Sequence, residues 1–175
     1  MRSAPLVGLA VAAVLLVLDQ LAKLGVARLT GLDEFAEPTR ITGFFNLRFV
    51  ANRGVSLGLF QADGHGGRWL LVALTGAIAL AVAWWMARER NRVDQAALGL
   101  ILGGALGNIL DRVRLGFVVD YADLHLRAWR PFLVFNLADA AITIGVVVLL
   151  VRALFVRDKA ADPQTGPRPS ENSHA

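Results

Sequence analysis

Four stretches of this chain are long and apolar enough to cross a bilayer, near residues 5–27, 69–87, 94–112 and 132–154. A crossing helix needs about 20 mostly apolar residues. The second stretch carries no charge at all, and the first is uncharged from Ala4 to Leu18. Composition agrees: 55% of the residues are hydrophobic and 18% charged, with a mean hydropathy of +0.53. A soluble domain carries roughly 25% charge. The expected fold is therefore mainly α and polytopic, with four transmembrane helices.

Four crossings return both ends of the chain to one side. The short stretch 88–92 holds three arginines, and Arg152, Arg157 and Lys159 end or follow the last span. The positive-inside rule puts this loop and both termini in the cytoplasm. Arginines also occur on the other side, at 40, 48, 53 and 68 and at 112, 114, 127 and 130, so the dense short loop decides the orientation. Arg2 before the first span resembles the start of a secretory signal. Asp19, Gln20 and Lys23 follow it where an A-x-A-like site would stand, so a retained helix is expected.

The outer loop 30–67 is long enough for structure of its own. Phe45, Leu47 and Phe49 alternate with Asn46 and Arg48, which predicts a strand. Asn52-Arg53-Gly54 predicts a turn and a second short strand after it. A small extracytoplasmic β-sheet on the membrane surface follows. Trp129 among arginines in the loop 116–131 reads as interfacial. Residues 1–157 form one membrane-embedded domain in this reading. The polar, proline-rich stretch 158–175 is expected to be a disordered cytoplasmic tail.

Several chemistries drop out. There is no cysteine, and His65, His125 and His174 are too scattered for a metal-ligand pair, so neither metal nor cofactor is expected. The net charge of +4 does not imply nucleic acid, because the arginines flank apolar segments and form no basic stripe.

What remains is a set of polar residues at the ends of apolar runs, where an isolated charge costs roughly 3 kcal/mol on insertion scales. Gly99, Gly103 and Gly107 share one helix face and suit close packing. Asn108 and Asp111 share a face nearby, and Asp111 can either pair with Arg112 or belong to a site. Asp19 and Lys23 have ordinary ion-pair spacing. Asn136 and Asp139 are three apart on one face. Asp120 stands across the last loop from Asp139, with Asp123 as a competitor expected to be a solvated loop acid. Two carboxylates brought together share one proton, which suits amide hydrolysis. Spacing alone fits a proton or ion pathway equally well.

Five blocks then occur in order: DQLAK at 19–23, NRGVSLG at 52–58, GGALGNILDR at 103–112, VVDY at 118–121 and FNLAD at 135–139. With the four spans they make the chain resemble the lipoprotein signal peptidases (signal peptidase II), membrane aspartyl proteases of bacteria. The resemblance implies Asp120 and Asp139 as the catalytic pair. It implies supporting roles for Asp19, Lys23, Asn52, Gly54, Gly104, Asn108, Asp111, Arg112 and Asn136. It implies prolipoprotein substrates cut before a diacylglyceryl-modified cysteine, no cofactor, contact with membrane lipid, a monomer in the cytoplasmic membrane and sensitivity to globomycin-type antibiotics. The active site would lie near the outer leaflet. Val55, Ser56 and Leu57 depart from the family's usual Ala-Ala-Phe, which bears on the shape of the substrate groove.

Three other readings stand beside it. Ser56 and Lys23 as a serine–lysine pair has no spacing in its favour. A small proton-coupled transporter would be expected to show an internal repeat, and none is visible. A purely structural adaptor leaves the polar clusters at the helix ends without a reason.

Overall fold

The computed structural model describes residues 5–31, 33–54, 65–126, 129 and 131–155. The strand expected after Gly54, the residues Val55, Ser56 and Leu57, and the tail 158–175 lie outside these. The chain runs α1 (Leu6–Thr30), β1 (Thr39–Arg40), β2 (Phe45–Asn52), α2 (His65–Met86), α3 (Arg92–Leu115), β3 (Val118–Leu124) and α4 (Leu137–Phe155). All four helices contain a segment long and apolar enough to cross a membrane. This is a mainly helical, multi-pass membrane protein with a small sheet.

The helices differ in how much of themselves they bury, and their composition follows. In its apolar window α3 is 56% buried, against 28% for α1, 17% for α4 and 11% for α2. It packs against all three other helices. It is also the least hydropathic, at 1.4 against 2.0 to 2.2. A helix shielded by protein can carry polar groups that a lipid-facing helix cannot. By contrast, α2 turns Leu70, Leu74, Ile78, Leu80 and Trp84 outward.

Close approach to α3 needs small residues on it. A β-carbon at Gly103 would stand 2.6 Å from the carbonyl oxygen of Ala12 on α1. One at Gly104 would stand 2.6 Å from that of Ala138 on α4. Gly107 makes room for a side chain instead: its β-carbon would lie 2.5 Å from Asp19 Oδ2. The glycine face therefore packs helices and also admits a buried carboxylate.

The sheet is antiparallel, in the order β1-β2-β3. Leu47 pairs with Ala122 and Val50 with Asp120, so Arg48 and Phe49 together oppose the single residue Tyr121. This β-bulge resets the alternation of β2. Strict alternation would put Asn52 on the face opposite Leu47. After the bulge, Val50 and Asn52 share the face of Asp120, while Phe49 is buried and meets the ring of Phe117 edge-on at 6.0 Å.

Helix α4 begins at Leu137, not at Phe132 where its apolar run starts. Phe135 is held to β3 instead, accepting from Ala122 N at 2.7 Å and donating to Ala122 O at 3.2 Å. That pairing stops the helix short and leaves Asn136 as its N-cap.

Candidate active site

The C-terminal halves of α1 and α3 and the N-terminus of α4 meet at one end of the bundle, beside β3. The basic loop 88–92 joins α2 to α3 at the other end.

The start of α4 is tightly accounted for. The first N–H groups of a helix lack intrahelical partners. Leu137 N donates to the Tyr121 hydroxyl at 3.3 Å, Ala138 N to Asp19 Oδ1 at 3.1 Å, and Asp139 N to Asn136 Oδ1 at 2.9 Å. Asn136 N in turn donates to Asp139 Oδ2 at 3.3 Å. Asn136 and Asp139 thus form a reciprocal capping box. The spacing that puts them on one face also fixes Asp139 against the backbone.

Asp120 is joined to the same group. Asn136 Nδ2 donates to Asp120 Oδ1 at 2.7 Å, and Asn52 Nδ2 donates to Asp120 Oδ2 at 3.0 Å. Asn108 Nδ2 donates to Asp139 Oδ1 at 2.8 Å. Asp120 is 2% exposed, and burial, helped by the charge of Asp139, pushes its pKa up to about 6 against the hydrogen bonds from Asn52 and Asn136. Both carboxylates line a cavity of about 960 Å³ together with Asn52, Gly54, Phe132 and Ile144. Its apolar rim is open, with Phe132 62% and Leu133 73% exposed. Gly54 turns the chain there at a φ of 150°, a conformation glycine adopts readily, and its N–H donates to Asn52 Oδ1 at 3.1 Å.

Behind this lies a second, charged cluster. Lys23 Nζ is 2.8 Å from Asp19 Oδ2 and 2.8 Å from Asp111 Oδ2. It also donates to Asn108 Oδ1 at 3.1 Å. Asp111 accepts from Val119 N at 3.3 Å and from Gln20 Nε2 at 3.0 Å, which ties α3 to β3 next to Asp120. Arg112 turns back onto its own helix and donates to the Asn108 carbonyl at 3.4 Å.

The structure therefore brings Asp120, Asp139 and Asn52 to one cavity, with Asn108 and Asn136 bonded to the two carboxylates from beside it and Asp19, Lys23 and Asp111 behind. Gly104 serves the contact of α3 with α4, and Gly54 the turn at the rim. One expectation is corrected. Asp123 is 2% exposed, lies within β3 opposite Asn46, and is three residues from Asp120, hence on the other face of the strand. It is a buried strand residue, not a solvated loop acid. Two residues join the set: Tyr121, which caps α4, and Gln20, which holds Asp111. Both stand inside blocks that the sequence already marks, VVDY and DQLAK, but neither has a spacing partner that reveals its role.

Residues 11–155 match the family model for signal peptidase (SPase) II. A lipoprotein signal peptidase of Rhizorhabdus wittichii is 53% identical over 86% of this chain and 87% of the relative. Another, of Sphingopyxis alaskensis, is 51% identical over 91% of this chain and 92% of the relative. A solved bacterial membrane enzyme has the same fold, with a TM-score of 0.73 at 25% identity, covering 91% of this chain and 94% of that one. The chain belongs to the signal peptidase II family.

Proposed function

We propose that the protein is an aspartyl endopeptidase that removes signal peptides from prolipoproteins, cutting before a diacylglyceryl-modified cysteine. Family membership supports signal-peptide cleavage, and the lipid requirement and the aspartyl chemistry are our reading of the site. The observation that carries it is Asn136. Its side chain holds Asp120 and its backbone N–H holds Asp139, so two carboxylates share one cavity through a neutral amide.

In this reading the pair holds one proton, carried by Asp120, whose pKa burial raises. Asp139 takes a proton from a water, whose oxygen attacks the carbonyl carbon before the cysteine. Asp120 gives its proton to the carbonyl oxygen. The tetrahedral diol then collapses: the C–N bond breaks, Asp139 returns its proton to the leaving amine, and a diol hydroxyl restores the proton to Asp120. Asn52, Asn108 and Asn136 keep the two acids in register, and Asp19, Asp111 and Arg112 support them from behind.

The substrate's lipid stays in the bilayer, so the scissile bond is presented at its surface. The apolar rim at Phe132, Leu133 and Ile144 suits entry from that side. The basic loop 88–92, at the other end of the bundle, supports a reading with both termini in the cytoplasm and the site near the outer leaflet of the cytoplasmic membrane. A single chain supplies every group the reaction uses, so a monomer suffices.

The test is cleavage of a diacylglyceryl-modified prolipoprotein beside an unlipidated control, with the product's new N-terminus read by mass spectrometry. The expected result is a cut before the modified cysteine in the lipidated substrate alone. A cut elsewhere, or equal cleavage of both substrates, would overturn the reading.

A further inference from the structure

We propose that Lys23 is a positioning residue that acts through Asn108: it dictates which end of the Asn108 carboxamide faces Asp139. The proposal rests on Asp120 and Asp139 being the hydrolytic pair.

A carboxamide has two ends of nearly equal shape and opposite hydrogen-bonding character. Asn108 reaches Asp139 with its Nδ2 at 2.8 Å, while its Oδ1 faces Lys23 Nζ at 3.1 Å. The lysine ammonium donates and never accepts. Turning the amide over would set N–H groups against the ammonium and a carbonyl oxygen against the Asp139 carboxylate, losing two hydrogen bonds and facing like partial charges. Asn136 Nδ2 also approaches Asn108 Oδ1, at 3.3 Å, but its shorter bond, 2.7 Å, goes to Asp120. Lys23 is thus the one donor-only group on that oxygen among the described contacts.

Lys23 is itself fixed. Asp19 and Asp111 hold it from two helices at 2.8 Å each, and it is 4% exposed. Asp19 also caps Ala138 N, one residue before Asp139. Lys23 is not among the residues lining the cavity, so it does not meet substrate there. A carboxylate engaged by an oriented donor keeps its attacking geometry, so the effect falls on the chemical step rather than on binding.

The experiment is a double-mutant cycle of Lys23→Met and Asn108→Ala in the full-length protein, with a lipidated prolipoprotein as substrate. Removing one oriented donor costs roughly 10²-fold in kcat. Each single variant should lose about that much, with KM moved less than about threefold, and the double variant should fall no further than the lower single, because the two act as one unit. Losses that multiply, or a fall in Lys23→Met that is all in KM, would overturn the proposal. Lys23→Met leaves two buried carboxylates without their cation. If it does not accumulate in membranes, the cycle is run on an Asp111→Asn background, where one of them is neutral, and the same comparison decides. Asp139→Asn is assayed alongside. Turnover there sinks the hydrolytic-pair reading itself, whatever the cycle gives.

Discussion

Two pairs of aspartates lie at the same end of the bundle and are built in opposite ways. Asp19 and Asp111 close on a lysine, each at 2.8 Å from its ammonium. Asp120 and Asp139 close on amides: Asn136 serves both, Asn52 the first and Asn108 the second. A cation between two carboxylates satisfies both as anions, and the cluster becomes a fastening between α1 and α3. In our reading, neutral amides between two carboxylates leave the like charges side by side, and the charges of Arg112 and Lys23 offset this only in part, so one proton on the pair is favoured. The first pair is packed behind the site and the second opens on the cavity. Residue type alone does not separate the two pairs; the partner between the acids does.

Each pair can be disturbed separately. The largest effect on stability is expected from Lys23→Met, which strands the first pair. Breaking a buried ion pair costs about 3–5 kcal/mol. Thermal unfolding in detergent should show a large loss, and adding Asp111→Asn should restore part of it. No recovery would mean that the carboxylates are not what the lysine holds. Next comes Asn136→Ala, which removes the donor to Asp120 and the cap of α4. Turnover should fall roughly 10²-fold, and stability by about 1–2 kcal/mol for the lost cap. A stability loss with unchanged turnover would contradict the bridging role.

The smallest effect sharpens the second pair. If Asp120 carries the proton, kcat/KM falls as pH rises through its pKa, about 6. The Asn52 hydrogen bond favours the carboxylate and holds that value down. Asn52→Ala should therefore move the alkaline limb to higher pH, as read from a pH–rate profile. A limb that moves to lower pH would reverse the assignment of the proton.

The sequence shows the spans plainly, because apolar runs of that length have few alternatives. It shows Asn136 and Asp139 on one face, and their order just before an apolar run is also a capping-box pattern. The contact of Asn52 with Asp120 is not visible in the same way. It depends on the bulge at Arg48 and Phe49, and nothing in FNLRFVAN marks which residue is the extra one. Asp123 misleads for a related reason. A charge in a loop between two spans reads as solvated until pairing with Asn46 makes that part of the loop a strand. The true start of α4 is hidden too, since Phe132 to Phe135 are as apolar as the helix and only the pairing of Phe135 with Ala122 excludes them from it.

Asp120 and Asp139 together perform the hydrolysis in this reading, and turnover of Asp120→Asn and Asp139→Asn tests that most directly. Each amide is nearly the shape of the acid it replaces, so both variants should remain inserted and folded while cleavage of lipidated prolipoprotein drops to background. Sustained cleavage by either variant, at more than a few per cent of the unaltered protein, would remove that residue from the pair and contradict the account.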